Sequence, residues 1–125
     1  TRKESSAASD VYKRQVAILN LEQVGVGEML GANYHYKYPE LAELSEKAND
    51  RYVHRRLFTS ETHFLTRPRT DGAVFMKAGY PCIDLWALGG GYYHHPKDNT
   101  QSINPDILRA ATEWLYWTTI FIADK

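Results

Sequence analysis

Two polar features of the sequence could carry out chemistry, and each follows an apolar run. Glu22 closes the run VAILNLE. A carboxylate at the end of an apolar strand is costly to bury unless it meets a cation, a hydrogen-bond donor or a metal ion. The second feature is residues 89–99, GGGYYHHPKDN, in which tyrosines, histidines and an aspartate follow a glycine run. Histidine nitrogen and carboxylate oxygen are ligands that zinc accepts, so the two features together suit a zinc site.

Each feature also has a purely structural explanation. A single glutamate at a strand end is more often a surface or capping residue. The pair His94-His95 could belong to an ordinary turn, because Pro96 restricts the residue before it and Asp98 and Asn99 are common turn residues. The residue types alone therefore leave a metal site and a surface loop as alternatives.

Other kinds of chemistry have little support. Cys82 is the single cysteine, so an internal disulfide and a cysteine-rich zinc site are both excluded. It lies in the apolar run YPCIDL, where a buried and unreactive thiol is expected. The sequence has no Ser-His-Asp arrangement, phosphate loop or nucleotide fingerprint. His35, His54 and His63 have no partner at a ligand spacing and are predicted to be structural or exposed.

Apolar patterns predict the elements that must position these residues. Strands are predicted for residues 16–22, 53–59 and 80–86, and helices for the segment opened by Pro39, for residues 71–78 and for the segment after Asn104. Asn104 suits an N-cap and Pro105 a first helical position. The alternation predicts an α/β fold with a largely parallel or mixed sheet. Ligands of such sheets bind beyond the carboxyl ends of the strands, where both polar features are expected.

Charge and composition exclude several partners. The 125 residues include 15 basic and 15 acidic side chains, so no net charge attracts the chain to nucleic acid or to an anionic membrane. No apolar stretch is long enough to span a bilayer. Residues 1–15, TRKESSAASDVYKRQ, are polar and aperiodic, and we interpret them as a disordered or artefactual tail. Residues 16–125 are large enough for one domain.

Three segments, taken in order, resemble the co-catalytic zinc aminopeptidases, metallopeptidase family twenty-eight. VAILNLEQVG is similar to that family's strand ending in Asn-Leu-Asp/Glu-x-x-Gly. TDGAVFMKAGYP is similar to its segment Ser/Thr-Asp-x-x-x-Phe-x-x-x-Gly-x-Pro. YHHPKDNTQSINPDIL is similar to its segment Tyr-His-x-x-x-Asp-Thr and the last helix. The resemblance identifies residues 16–125 as the C-terminal part of a zinc peptidase catalytic domain.

The resemblance implies a fold, an activity and site residues. The fold would be a three-layer α/β sandwich, with a mixed, largely parallel sheet flanked by helices. The parent would be an exopeptidase that binds two zinc ions and hydrolyses N-terminal peptide bonds of a peptide substrate. Glu22 and His94 match zinc ligands, and Tyr93 matches the tyrosine that steadies the reacting carbonyl oxygen. Asp71 and Asp98 match structural residues near the site. Family relatives are often exported, so the resemblance implies a periplasmic or secreted setting.

The resemblance also implies that part of the site lies upstream. The family's His-x-Asp, bridging Asp and Glu-Glu pair have no counterpart before Val16, so the chain would be inactive by itself. Asn99 stands where the family usually has Thr, Gly72 where it often has His, and Glu22 is the less common choice of ligand. Two alternatives stay open: a glutaminyl cyclase-like zinc acyltransferase, which Asn99 supports, and a non-catalytic receptor or interaction domain. The segments 25–38 and 88–92 are expected to be loops of the substrate pocket.

Overall fold

A four-stranded mixed sheet lies at the centre of the part of the chain that the computed structural model describes, residues 17–62, 70–89 and 95–124. The strands are β1 (Ile18–Glu22), β2 (Met29–His35), β3 (Leu57–Thr62) and β4 (Cys82–Leu88), in the order β1-β4-β2-β3. β4 is parallel to β1 and antiparallel to β2, while β2 and β3 are parallel. The predicted α/β class with a mixed, largely parallel sheet is confirmed.

Local chemistry marks where the helices begin. They are α1 (Pro39–Ala48), α2 (Asp71–Lys77) and α3 (Pro105–Ala123), with a π-helical turn at Asn49–Val53 and a 3-10 turn at Thr100–Ser102. Thr70 Oγ1 accepts a hydrogen bond from the Ala73 amide at 2.9 Å, and Asn104 Oδ1 accepts one from the Asp106 amide at 3.1 Å. Such caps satisfy N–H groups that have no partner inside the helix. The predicted starts of all three helices are confirmed.

One face of the sheet carries the apolar core. Leu30, Ala32, Ile83 and Leu85 alternate along β2 and β4 and are fully buried against α1 and α3. Trp114 of α3 is also fully buried, and its Nε1 donates to the Ser45 carbonyl of α1 at 2.8 Å. Full burial of one large apolar side chain stabilises a protein by about 1.5–3 kcal/mol. This face therefore binds the sheet to the two helices.

The opposite face carries a row of polar residues. Asn20, Asp84, Asn33 and Ser60 occupy paired positions on β1, β4, β2 and β3, so the row crosses all four strands. Asn20 donates a hydrogen bond to Asp84 at 2.9 Å, and Ser60 donates one to Asn33. α2 packs on this face, with Gly72 against Asp84. Helices cover both faces of the sheet, so the three-layer arrangement is confirmed as well.

Two predicted assignments are wrong. Residues 25–38 are not a pocket loop, because they contain β2, a central strand whose Leu30 and Ala32 are fully buried. The strand predicted at residues 53–59 begins at Leu57, because residues 49–53 continue α1 as a π-helical turn. That turn ends at His54 in the left-handed region, with a φ of 59°.

Other predictions shift slightly or fall outside the described ranges. The strand predicted at residues 80–86 lies at Cys82–Leu88. His35 and Cys82 are buried, as a structural role requires. The predicted tail, residues 1–15, and His63 lie outside the described residues. No helix within the described ranges is long and apolar enough to cross a membrane.

Candidate functional site

The parallel strands β1 and β4 place the first candidate ligand, Glu22, at the carboxyl end of the sheet. Because β1 and β4 are parallel, their carboxyl ends lie side by side, and Glu22 pairs in register with Trp86. The chain leaves β4 at Gly89, at the start of the segment that contains Tyr93 and His94. The half-buried Glu22 and the end of β4 therefore lie at the same end of the sheet, where α/β sheets bind ligands. Tyr93 and His94 themselves lie outside the described residues.

The backbone turns sharply after Glu22. Gln23 has a φ of 51°, in the left-handed region that residues with a side chain rarely adopt. Its carbonyl accepts a hydrogen bond from the Ala87 amide at 3.3 Å, which fixes the turn to β4. A conformation of this kind costs about 1–3 kcal/mol and is concentrated at functional sites. The turn is a second sign that this strand end has a role beyond folding.

The loop between β1 and β2 is anchored at both sides. Gly27 has a φ of 103°, and a Cβ added to it would lie 2.2 Å from the Leu88 carbonyl oxygen, so a side chain cannot fit. The Glu28 amide donates to that same carbonyl at 3.0 Å. On the other side, Asn104 donates from Nδ2 to the Gly27 carbonyl at 3.1 Å and from its backbone amide to the Gly25 carbonyl at 2.8 Å. The residues around the candidate site are therefore held by β4 and by the start of α3.

A chain of hydrogen bonds runs from Glu22 to the start of α2. Asn20 Nδ2 donates to Glu22 Oε1 at 3.1 Å and to Asp84 Oδ1 at 2.9 Å. The second carboxylate oxygen of Asp84, Oδ2, accepts a hydrogen bond from Thr70 Oγ1 at 2.6 Å. Since Thr70 also caps α2, the network joins β1, β4 and α2 through one buried carboxylate.

Asp84 is the residue that sequence reasoning missed. Its side chain is 1% exposed, and burial raises its pKa above the usual range of an aspartate. Hydrogen bonds from Thr70 and Asn20 oppose this effect, while the negative charges of Glu22 and Asp71 add to it. The available signal was an aspartate inside the apolar strand CIDLWAL, because a buried carboxylate requires donors from elsewhere in the fold.

The predicted structural residues have different surroundings. Asp71 lies in the first turn of α2, close enough for its charge to act on Asp84. Asp98 lies in an exposed turn, where its amide donates to the His95 carbonyl at 2.9 Å. The next residue, Asn99, accepts a hydrogen bond from the Gln101 amide at the start of the 3-10 turn. Of the predicted site residues, the structure brings Glu22 and Asp71 to one buried carboxylate and places Asp98 in a separate turn.

The described residues do not form a complete metal site. No group of three or more His, Cys, Asp or Glu side chains that could hold a metal ion occurs within residues 17–62, 70–89 and 95–124. Glu22 nonetheless fits a zinc ligand, because its Oε1 accepts the Asn20 amide while no described residue donates to its Oε2. A zinc site at this edge would combine Glu22 with ligands from other parts of the protein.

An α/β sandwich with a carboxylate at the carboxyl end of a parallel strand, here Glu22 of β1, belongs to the class of domains that bind ligands at that end of the sheet. The profile of peptidase family M28 matches residues 4–118. The chain therefore belongs to peptidase family M28. No curated protein matches it at a significant level.

Solved structures with the same fold are also peptidases by description. The LapA aminopeptidase of Legionella pneumophila is similar with a TM-score of 0.70 and 15% identity, over 87% of this chain and 31% of that chain. A presumed peptidase of Clostridium acetobutylicum is similar with a TM-score of 0.70 and 18% identity, over 93% of this chain and 28% of that chain. The chain thus spans about a third of the length of these structures. At such identities the likeness establishes the fold.

Proposed function

We propose that this chain is the C-terminal part of a zinc-dependent, aminopeptidase-like exopeptidase that hydrolyses N-terminal peptide bonds. The observation that carries the proposal is the position of Glu22. It lies at the shared carboxyl edge of β1 and β4, is held by Asn20 and is followed by the left-handed turn at Gln23. Membership of peptidase family M28 and the fold of LapA aminopeptidase support the same class of activity.

Each site residue has a chemical role in this proposal. Glu22 binds zinc through a carboxylate oxygen and His94 through an imidazole nitrogen. Zinc, when bound, supplies Lewis-acid polarisation of the scissile carbonyl and activates water. Tyr93 donates a hydrogen bond to the oxygen on which charge develops, where a single donor is worth about 2.7–4 kcal/mol. Asp71, in the first turn of α2, and Asp98, in the turn that follows His95, have structural roles near the site in this proposal.

The 125-residue chain is inactive by itself in this proposal. Catalytic zinc sites take about three protein ligands per ion, whereas Glu22 and His94 supply two in all. The remaining ligands and the general base come from sequence upstream of Val16. The share of the LapA chain that is covered, 31%, agrees with a protein that extends well beyond these residues.

The first test is the DNA sequence upstream of the codon for Val16. We expect an open reading frame that encodes a His-x-Asp motif, a further Asp and a Glu-Glu pair at domain-scale spacing. A frame that continues without these ligands would rule out the two-zinc mechanism and favour a non-catalytic member of the fold.

The second test is an assay of the intact parent. With an aminoacyl anilide as substrate, we expect Tyr93→Phe to keep bound zinc and to lower kcat by about 10²–10³-fold, as loss of an oxyanion donor does. Tyr116, which is 57% exposed on α3, offers a control, since Tyr116→Phe should leave kcat unchanged. Glu22→Gln should lose zinc, measured by metal analysis, together with activity. Cyclisation of an N-terminal glutaminyl peptide without hydrolysis of the anilide would instead identify a glutaminyl cyclase-like acyltransferase.

A further inference from the structure

One amide group connects the candidate zinc ligand to the buried carboxylate of β4. The two hydrogens of Asn20 Nδ2 are shared between Glu22 Oε1, at 3.1 Å, and Asp84 Oδ1, at 2.9 Å. Asn20 and Glu22 lie on the same face of β1, since they are two residues apart in a strand. Asn20 also pairs in register with Asp84. The amide therefore lies between two carboxylates that would otherwise repel each other.

We infer that Asn20, fixed by Asp84, is a positioning residue that orients the carboxylate of Glu22 for the metal. The inference rests on the proposed function, because it assigns a role toward the zinc that Glu22 would bind. Residues that hydrogen-bond to a metal ligand fix its orientation, and their loss usually lowers metal affinity by about 10–100-fold.

Asp84 is suited to fix the amide because its own position is determined from several sides. It is 1% exposed in the centre of the sheet, and its second oxygen accepts the Thr70 hydroxyl at 2.6 Å. Gly72 of α2 lies so close to Oδ1 that a Cβ added to it would be 1.7 Å from that oxygen. An acceptor held in this way gives Asn20 one favourable orientation, in which its second hydrogen is directed at Glu22.

The same contacts link the site to the start of α2. Thr70 donates to Asp84 and, through the same hydroxyl oxygen, accepts from the Ala73 amide as the N-cap. A path of three hydrogen bonds thus runs from the cap of α2 to the carboxylate of Glu22. Asn20 is the residue that joins Asp84 to Glu22 in this path, so its substitution interrupts the path at one point.

The polar row provides a matched control. Asn33 is the register partner of Asp84 on the other side of β4, and its Oδ1 accepts a hydrogen bond from Ser60. Asn33→Ala therefore removes the same side chain, from the same face of the sheet and the same level, without breaking the link to Glu22. A role in folding alone predicts similar effects for Asn20→Ala and Asn33→Ala.

The test is a zinc titration of the intact parent against a chromophoric chelator, together with the visible spectrum of the cobalt-substituted protein. We expect Asn20→Ala to raise the Kd for zinc by about 10–100-fold and to change the cobalt spectrum. Asn33→Ala should leave both unchanged. Adding Asp84→Ala to Asn20→Ala should weaken binding no further, because both residues act through one path.

The outcomes separate this inference from the proposed function. Equal zinc affinity for wild type and Asn20→Ala, or an equal loss in both asparagine variants, would overturn the positioning role while leaving the peptidase proposal intact. A wild-type parent that binds no zinc would rule out both the positioning role of Asn20 and the proposed zinc-dependent function. If the alanine variants fail to fold by circular dichroism, Asn20→Ser and Asn33→Ser decide the question by the same comparison, since the shorter hydroxyl cannot donate to both carboxylates.

Discussion

Gly72 and Asp84 are in direct contact, at a distance that excludes any side chain at position 72. A Cβ added to Gly72 would lie 1.7 Å from Asp84 Oδ1 and 2.6 Å from Cγ. The carboxylate cannot easily move away, because Asn20 and Thr70 each hold one of its oxygens. This contact gives a physical reason for the glycine at a position where the resembled family often has histidine. The buried Asp84 occupies the space that a larger residue would need.

Gly72→Ala should therefore destabilise the protein, although alanine is normally the better helix residue. Forcing a methyl group into this contact breaks hydrogen bonds or shifts α2, and overpacking of this kind costs about 1–3 kcal/mol. Denaturation by urea measures the difference in the free energy of unfolding.

The double variant Gly72→Ala, Asp84→Ala provides the control. Without the Asp84 carboxylate, the new methyl group has space, and the gain in helix propensity over glycine, up to about 1 kcal/mol, should be recovered. Gly72→Ala is then neutral or stabilising in the Asp84→Ala background. The same cost in both backgrounds would show that the contact with Asp84 is not the cause.

The burial of Asp84 makes stability depend on pH. Burial raises its pKa in the folded protein above the value of the unfolded chain, so between the two values the folded state binds more protons. Its contribution to stability is therefore present at low pH and is lost as the pH rises through the folded-state pKa. Asp84→Asn removes this titration, so we expect a smaller fall in the urea midpoint between pH 4 and pH 8 than in wild type.

A control is needed for the change in net charge. Asp98→Asn removes an exposed carboxylate and makes the same change in formal charge. If the urea midpoint of Asp84→Asn depended on pH as strongly as that of wild type, Asp84 would not be the cause of the pH dependence.

The cap of α3 should matter more for stability than its exposure suggests. Asn104 accepts from the Asp106 amide, and it also donates to the carbonyls of Gly25 and Gly27 in the loop beside Glu22. Loss of an N-cap side chain costs about 0.5–2 kcal/mol, and Asn104→Ala loses the bond to Gly27 in addition. Asn99→Ala is the matched control, because Asn99 caps only the exposed 3-10 turn and should cost less. Equal changes in Tm for both variants would contradict a role of Asn104 in anchoring the loop.

The parts of the fold that depend on neighbouring residues could be predicted from the sequence. Asn104 with Pro105 marks the start of α3, and Gly79, with a φ of 95°, follows α2 where the pattern indicates its end. These signals act over a few residues, so all the residues that interact lie within one short segment of the sequence. The alternation of apolar strands and helices likewise predicted the class of fold.

The missed features depend on partners far apart in the chain. β2 has the sequence MLGANYH, which does not alternate, and its Gly31 is explained only by Trp86, since a Cβ there would lie 2.0 Å from the indole Nε1. The role of Asp84 likewise depends on Asn20, 64 residues away in the chain. Pairing of the strands decides both contacts, and no local pattern in the sequence specifies that pairing. The position of Glu22 at the end of a strand could be predicted, whereas the network that holds it could not.

Cys82 should be unreactive in the folded protein. Its side chain is 0% exposed, and burial, with a smaller effect from the charge of Asp84, raises the pKa of its thiol to about 12. Since the thiolate is the reactive form, neither access nor ionisation favours reaction at pH 8. We expect negligible labelling by a thiol-specific reagent in buffer and complete labelling in urea. Val74, which is 58% exposed on α2, supplies the control, because Val74→Cys adds a thiol that should react within the folded protein. Rapid labelling of Cys82 without denaturant would mean that β4, and with it the position of Asp84, opens readily in the folded state.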